Sequence, residues 1–309
     1  MIKIEKKIIK NKPFFYLTEQ INIGPSYKKI QVYIGKNIPK NLSNFYEILQ
    51  QKEIKIIIQN IKNIYLLDPA ITLNEYKKIE TARIKFKYWL LEMSEYKKMR
   101  FWKNFAIKFI FESNAIEGSK LSQNEVEKII KKQYIKKKAE RQEILEVENS
   151  IKAFEIIKSA EFKLNQRSII ELHKILVNGL SIDSGYKTKN IIVNNKTTIS
   201  PGEVRKNMAE LLLCRVKQKN KKCHPFITAV KFHQRFELIH PFSDGNGRIG
   251  RLLLNWMLLK SGYGIILLKN KNRQAYFSSL DQADNGRPRK LFRHCVQSYQ
   301  RTFEDFLFP

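Results

Sequence analysis

Cysteine is scarce. Cys214, Cys223 and Cys295 are all there are, an odd number with no C-x-x-C pair. That excludes a disulfide framework and a zinc knuckle, and points to a reducing compartment. Long apolar runs are also missing. No stretch approaches the roughly 18–20 apolar residues of a membrane-spanning helix. Met1 to Lys12 has no apolar segment of the signal-peptide kind. The expectation is a cytoplasmic protein without membrane attachment. Acid is the third deficit: 29 Asp+Glu against 58 Lys+Arg give a formal charge of +29. Such an excess attracts nucleotides, nucleic acids and acidic protein faces without choosing among them. Much of it is lysine in an Ile- and Asn-heavy chain, so drift in composition accounts for most individual lysines. What is present is a 43% hydrophobic fraction over 309 residues. That suffices for a sizeable core and excludes global disorder.

Residues 2–36 hold three runs of β-formers, Ile2-Lys3-Ile4, Phe14 to Leu17 and Ile30 to Ile34. The breakers Asn11-Lys12-Pro13 and Gly24-Pro25-Ser26 separate them, so a small antiparallel meander is expected. Pro39 and Asn41-Leu42-Ser43 mark a junction. Beyond it, apolar residues recur at helical spacing in Ile79–Leu91, Phe101–Phe111, Ile144–Ile157 and Ile169–Leu180. Ile191 to Ile199 interrupts this with a hairpin signal around Asn194-Asn195-Lys196. Ser200 is the expected N-cap of the next helix, with Glu203 in the capping-box position. Helical spacing returns in Val204–Lys217, Ile227–Leu238, Ile249–Ser261 and Gln274–Ala283. Lys136-Lys137-Lys138 and Lys219 to Lys222 read as solvated charge runs.

The chemistry is concentrated in His240-Pro241-Phe242-Ser243-Asp244-Gly245-Asn246-Gly247-Arg248-Ile249-Gly250-Arg251. Gly245-Asn246-Gly247 tolerates positive φ at each position and directly precedes a helix. Amides of such a turn, added to a helix N-terminus, make an anion cradle. Arg248 and Arg251, three residues apart, can both clamp phosphate oxygens near that helix start. Asp244 offers a hard oxygen to Mg²⁺ or Mn²⁺. His240 ends the preceding helix, where a neutral imidazole can take a proton from a nucleophile. His173, His224 and His233 read as packed, structural histidines. His294 and Cys295 lack metal spacing. Tyr263 and Asn285 are left open as contacts to a nucleotide's base or sugar.

This stretch resembles, without departure, the signature H-P-F-x-[DE]-G-N-G-R-x-x-R of the Fic family. Asn149 to Ala153, Leu172-His173 to Leu176, Ala229 to Ile239 and Tyr276 to Gly286 resemble family core helices. The hairpin at 191–199 sits where the family has its target-docking flap. The resemblance spans roughly residues 75–305. It implies a mostly α, Fic-type helical bundle with a β-hairpin flap over residues 71–309, preceded by a small extension at 1–70 with the β-meander and a linker helix. It further implies a protein adenylyltransferase: His240 deprotonates a Ser, Thr or Tyr hydroxyl of a protein target, which attacks the α-phosphorus of ATP. Phe242 anchors the loop, and Asp244 holds Mg²⁺ (or Mn²⁺). Gly245, Asn246 and Gly247 receive phosphate oxygens, the Asn246 side chain helping to fix the α-phosphate. Arg248 and Arg251 take the β- and γ-phosphates. Gly247, where kinase-like members carry a larger basic residue, implies nucleotidyl transfer. Ser113-Asn114-Ala115-Ile116-Glu117-Gly118 is similar to the family's inhibitory motif [ST]-x-x-x-E-[GN]. An inhibitory helix near 108–118 would then use Glu117, one turn from Ser113, to occupy Arg251 in cis. Relatives often carry Arg near Lys187.

Two other classes stay open. One is an enzyme that removes AMP or transfers another phosphate-linked group, with Glu117 orienting water. The other is a basic nucleic-acid-binding protein, although no helix-turn-helix, zinc or RNA-binding signature is present. Self-modification, a homodimer and nucleic-acid contact are not fixed by these residues.

Overall fold

The computed structural model describes residues 2–133, 141–193 and 196–307. The chain opens with β1 (Lys3–Ile9), β2 (Lys12–Asn22) and β3 (Tyr27–Gly35), an antiparallel meander in that spatial order. Lys10 and Asn11 join β1 to β2 at φ 49 and 57. This is the paired left-handed geometry of a two-residue hairpin turn. Strand alternation sends Leu17, Ile30, Val32 and Ile34 inward, against Leu49, Ile56 and Ile57 of α1 (Ser43–Ile64). The opposite face carries Glu5, Tyr16 and Tyr33, which sit side by side in the register.

Helix α2 (Leu73–Glu92) starts at a full capping box between Thr72 and Glu75. It serves two cores: Ile84 and Tyr88 belong to the one under the sheet, Ile79 and Phe86 to the larger helical one. Lys87 pins the sheet to this helix. Its Nζ donates to Glu19 of β2 at 3.0 Å and to Glu53 of α1 at 2.9 Å, while the Tyr88 hydroxyl donates to Glu53 at 2.9 Å.

The larger core is built by α3 (Glu95–Ile116), α4 (Gln123–Ile130), α5 (Arg141–Lys158), α6 (Gln166–Leu176), α7 (Pro201–Asn220), α8 (Pro225–Ile239), α9 (Asn246–Lys260), α10 (Arg273–Asp284) and α11 (Arg289–Leu307). Helix α9 runs through its centre, buried at every position from Arg248 to Leu258. A helix covered on all sides needs apolar residues all round, as Ile249, Leu252, Leu253, Leu254, Trp256, Met257 and Leu258 provide. Arg248 and Arg251 are the charged exceptions, and they lie at the N-terminal end of α9. Helices α4 and α11 go beyond the periodic segments noted in the sequence. Buried Leu291, Phe292, Cys295, Val296, Tyr299 and Phe303 follow helical spacing along α11.

The hairpin is smaller than its β-formers imply: β4 (Ile192–Val193) pairs with β5 (Lys196–Thr197). Asn194 and Asn195, and the run Lys136–Lys138, lie outside the described residues. Lys219–Lys222 lies as expected, exposed at the C-terminal end of α7. Ser200 does precede α7, but its hydroxyl donates to the Glu203 carboxylate at 2.8 Å instead of accepting an amide, so no reciprocal box forms. Among the described residues, no helix is long and apolar enough to cross a membrane.

Removing Lys87 strands two largely buried carboxylates. We expect Lys87→Met to destabilise the fold by about 2–3 kcal/mol, below the usual cost of a broken buried pair because Lys87 is partly solvated. Lys87→Arg should keep most of the stability. Denaturant unfolding checks this, and equal loss in both variants would remove the charge from the explanation.

Candidate active site

Helix α8 ends on His240, which adopts φ 49 and ψ 62. A non-glycine residue in this left-handed region is strained by roughly 1–2 kcal/mol. Pro241 follows and cannot continue the helix. The strain is held in place by the loop behind it. Phe242 is fully buried, its ring stacked on that of His173 with centroids 3.8 Å apart and planes within 2°. His173 Nδ1 accepts from the Gly185 amide at 3.2 Å, which leaves Nε2–H to donate to the Asp244 carbonyl at 3.0 Å. That tautomer is neutral, in keeping with burial that pushes the His173 pKa down to about 4. His173 is a packed histidine as expected, and its polar ends bind the 240–251 loop and the segment at Gly185.

Asn246 closes the loop from the other side. Its Oδ1 accepts from the Phe242 amide and its Nδ2 donates to the Phe242 carbonyl, both at 2.9 Å. Both bonds hold the loop, and the amide nitrogen carries a second proton that they do not use. Positive φ is confined to Gly245, at 77°, because Asn246 and Gly247 already form the first turn of α9. The cradle is consequently a helix N-terminus. The first backbone amide tied back is Ile249, bonded to Gly245 at 3.0 Å. The amides of Asn246, Gly247 and Arg248 have no partner within the helix and, with the helix dipole, face incoming negative charge.

Two arginines flank those amides. Arg248 is 4% exposed; it lies 3.5 Å from Asp244 and 3.7 Å from Glu146, and its Nε has no partner. Burial pushes the Glu146 carboxyl up, against the pull of Arg248. Arg251 is 2% exposed. Its Nε donates to Ser113 Oγ at 2.9 Å, and its Nη2 to the Ser113 carbonyl at 2.9 Å and to Glu117 at 2.6 Å. Its Nη1 is buried without a partner. Ser113 and Glu117 thus meet Arg251 together, as one turn of helix allows. Glu117 caps α3, and Gly118 at φ 107 turns the chain away. Gly247 makes room for this pair: a Cβ there would stand 2.2 Å from the Glu117 carboxylate.

Asp244 stands at the rim with its side chain 59% exposed. Among the described residues no cluster of three acidic, His or Cys groups could enclose a metal. A lone carboxylate next to phosphate-binding amides and arginines suits Mg²⁺, which takes most of its ligands from water and phosphate.

Some partners of His240 were not legible in the sequence. Lys187 is buried, with its Nζ bonded to Thr198 at 2.5 Å and 3.5 Å from the Ile239 carbonyl. Its amide donates to the Pro241 carbonyl at 2.9 Å, so Lys187 ties the hairpin to the loop. Burial brings the lysine down to about 8. Burial first, and the Lys187 charge second, hold the His240 imidazole below its ordinary pKa. Glu237 on α8 is pushed up to about 8 by burial, beside Arg251. His224 and His233 are structural as expected, bonded to Glu80 and Tyr276. Tyr263 does not reach the site, being buried with its hydroxyl on Glu80 at 2.5 Å. Asn285 bonds back to Asp281 in its own helix. A cavity of about 730 Å³ lies elsewhere, between the sheet and the ends of α7 and α9, and none of the loop residues lines it.

Similarity to known proteins falls on the same segment. The Fic/DOC family model matches residues 163–258. The protein adenylyltransferase Fic of Nematostella vectensis is 27% identical over 205 residues, covering 64% of this chain and 48% of its own. The protein adenylyltransferase fic-1 of Caenorhabditis elegans is 24% identical over 206 residues, covering 64% and 41%. The chain spans under half the length of these curated relatives. Among solved structures, Fic-1 from C. elegans superposes with a TM-score of 0.68 at 20% identity, over 86% of this chain and 83% of that one. A Fic domain containing signaling protein from Bacteroides thetaiotaomicron VPI-5482 gives 0.65 at 23% identity, over 74% and 92%. The fold is of the Fic type.

We expect the His240 ring to titrate by NMR below the usual histidine value near 6.5. A depressed pKa keeps the imidazole neutral to lower pH, and the proton binds only as pH falls through that midpoint. Lys187→Gln removes the neighbouring charge and should raise the midpoint. A midpoint unmoved or lowered in that variant would contradict the electrostatic role of Lys187.

Proposed function

We propose that this chain is a protein adenylyltransferase, moving AMP from ATP to a hydroxyl side chain of a protein. The observation that carries the reading is a base, His240, held at one end of an anion cradle whose other walls are two buried arginines. Both arginines keep a partnerless buried nitrogen, which an anionic substrate would satisfy. In the reaction the neutral imidazole takes the hydroxyl proton, the oxygen bonds to the α-phosphorus, and the bond to the β-phosphate side breaks to release pyrophosphate. Transfer of this kind rests on positioning and charge neutralisation. The α9 amides and Arg248 hold phosphate oxygens, and Arg251 is the remaining cation for the γ-phosphate. Mg²⁺, held by Asp244, would supply further charge neutralisation on the phosphates. The hairpin, with Ile192 69% exposed, offers a short edge on which an extended target segment can pair. Residues 1–70 form an accessory module and 71–309 the catalytic unit.

Glu117 is the brake in this reading. Its carboxylate occupies the guanidinium that the γ-phosphate needs, and the two anions compete for one buried cation. A bias of about 2.7 kcal/mol toward the Glu117–Arg251 pair leaves roughly one molecule in a hundred competent.

We predict that Glu117→Gly raises transfer, onto the chain itself or a target, by one to two orders of magnitude, read by intact mass after incubation with Mg²⁺ and ATP. Arg251→Ala, alone or with Glu117→Gly, should stay slow, because it deletes the γ-phosphate's partner. Activation by Arg251→Ala with no effect of Glu117→Gly overturns the competition. Loss of AMP removal in Glu117→Gly, tested on a pre-modified protein, would make Glu117 catalytic and favour the reverse reaction. His240→Ala should bind ATP nearly normally and transfer almost nothing.

Replacing Ile192 or Thr198 by proline removes a backbone donor from the hairpin. Target modification should fall while ATP binding persists, as measured by calorimetry. Equal loss of both would assign the hairpin a nucleotide or folding role.

A further inference from the structure

The first 36 residues hold eight lysines and two glutamates, a greater local excess than the chain average. One of those acids, Glu19, turns inward to Lys87. The outward face of the sheet therefore has one carboxylate, Glu5, set between Lys3 at 3.1 Å and Lys29 at 2.5 Å. The same face carries a cluster of rings. Phe14 and Tyr16 of β2 lie 6.0 and 5.4 Å, centroid to centroid, from Tyr33 of β3. None of the three belongs to either hydrophobic core, and Tyr33 is 46% exposed. Lys7 stands over the Tyr16 ring at 4.6 Å and donates to Gln31 at 3.0 Å. Tyr27, 65% exposed, shares the outward register of Lys29, Gln31 and Tyr33 further along β3.

Inward positions of the sheet account for its folding. Outward aromatics add nothing to that core, and water is a poor neighbour for three adjoining rings. Lysines interleaved with ring faces are the pattern that holds a flexible polyanion whose own rings stack. An acidic protein would match the lysines but would leave the ring faces without planar partners. A duplex would keep its bases inside the stack, out of reach of a flat sheet.

We propose that the outward face of β1–β3, centred on Phe14, Tyr16 and Tyr33 with Lys3, Lys7 and Lys29, binds single-stranded nucleic acid. Bases stack on Tyr33 and its neighbours, and the lysines follow the phosphates. The face is on the side of the sheet opposite α1, so binding there is separate from ATP binding at α9.

The test is fluorescence anisotropy of the full chain with labelled dT15 and rU15. Binding should weaken as salt rises, with a logarithmic slope of about −2 for three phosphate contacts at roughly −0.7 each. Tyr33→Ala and Phe14→Ala change no charge and should each weaken binding about tenfold, while Tyr33→Phe should not. Lys7→Gln should reduce the slope by about 0.7. Lys219→Gln with Lys222→Gln, which removes more charge at the end of α7, should leave the affinity almost unchanged. A preference for rU15 identifies RNA as the source, and equal binding a strand of either sugar. Absence of binding at low salt, equal affinity in the Tyr33→Ala variant, or equal competition by duplex would overturn the proposal. So would a dimer abolished by Tyr33→Ala, which would mean that the face covers a second copy. Unfolding midpoints of the variants, expected to match wild type, separate lost binding from lost structure.

Discussion

A guanidinium cannot be buried alone. Arg251 lies inside the protein, and desolvation of its charge must be offset by acceptors brought to it. Helix α3 supplies three of them, a hydroxyl, a carbonyl and a carboxylate, all from the last turn between Ser113 and Glu117. This fixes where α3 ends relative to α9. Since α9 begins with the unpaired amides, it also fixes Glu117 beside that helix N-terminus. Glu237 approaches the same guanidinium from α8, the helix that ends on His240. His240, the helix N-terminus of α9 and Glu117 are therefore arranged around one cation.

The second arrangement is the loop between α8 and α9, and it is held by neutral groups. His173 and Asn246 use side-chain polar atoms to satisfy backbone groups of Gly185, Phe242 and Asp244. Backbone buried without sheet or helix partners has to be satisfied in this way. With both residues spent on the loop, His240 can sit in a strained conformation without the loop relaxing around it. Within the motif, Phe242 and Asn246 keep the loop in shape, while Asp244 stays exposed at its rim.

The linear motif made His240, Asp244, Arg248 and Arg251 legible, because their chemistry and offsets are local. Glu117 and Ser113 were legible as a second short motif, and the helices by their apolar period. The same local view left out the loop-closing role of Asn246, since an amide next to glycines looks equally fit for a phosphate or for its own loop. It also allowed positive φ at Gly247, which the structure places inside a helix. The family resemblance marked Lys187, but its contacts were not readable, because Thr198, Ile239 and Pro241 are distant from it in sequence or on another element. The period of α11 was present in Leu291 to Phe303 but stood apart from any recognised motif. The outward rings of the sheet had looked like ordinary β-formers until the register put Phe14, Tyr16 and Tyr33 together.

Gly247 ties the history of two positions together. A side chain there would collide with the Glu117 carboxylate, and the same glycine lies in the first turn of the cradle. A descendant that lost the glutamate would be released from one constraint at 247 and could explore bulkier residues, with whatever new donor chemistry they permit. A lineage that keeps the glutamate must first move its carboxylate, and Arg251 Nη1 beside it, before a side chain fits at 247. Substitutions at these two sites, 130 residues apart in the chain, should therefore be ordered in time: loss of the acid first, then gain of a side chain.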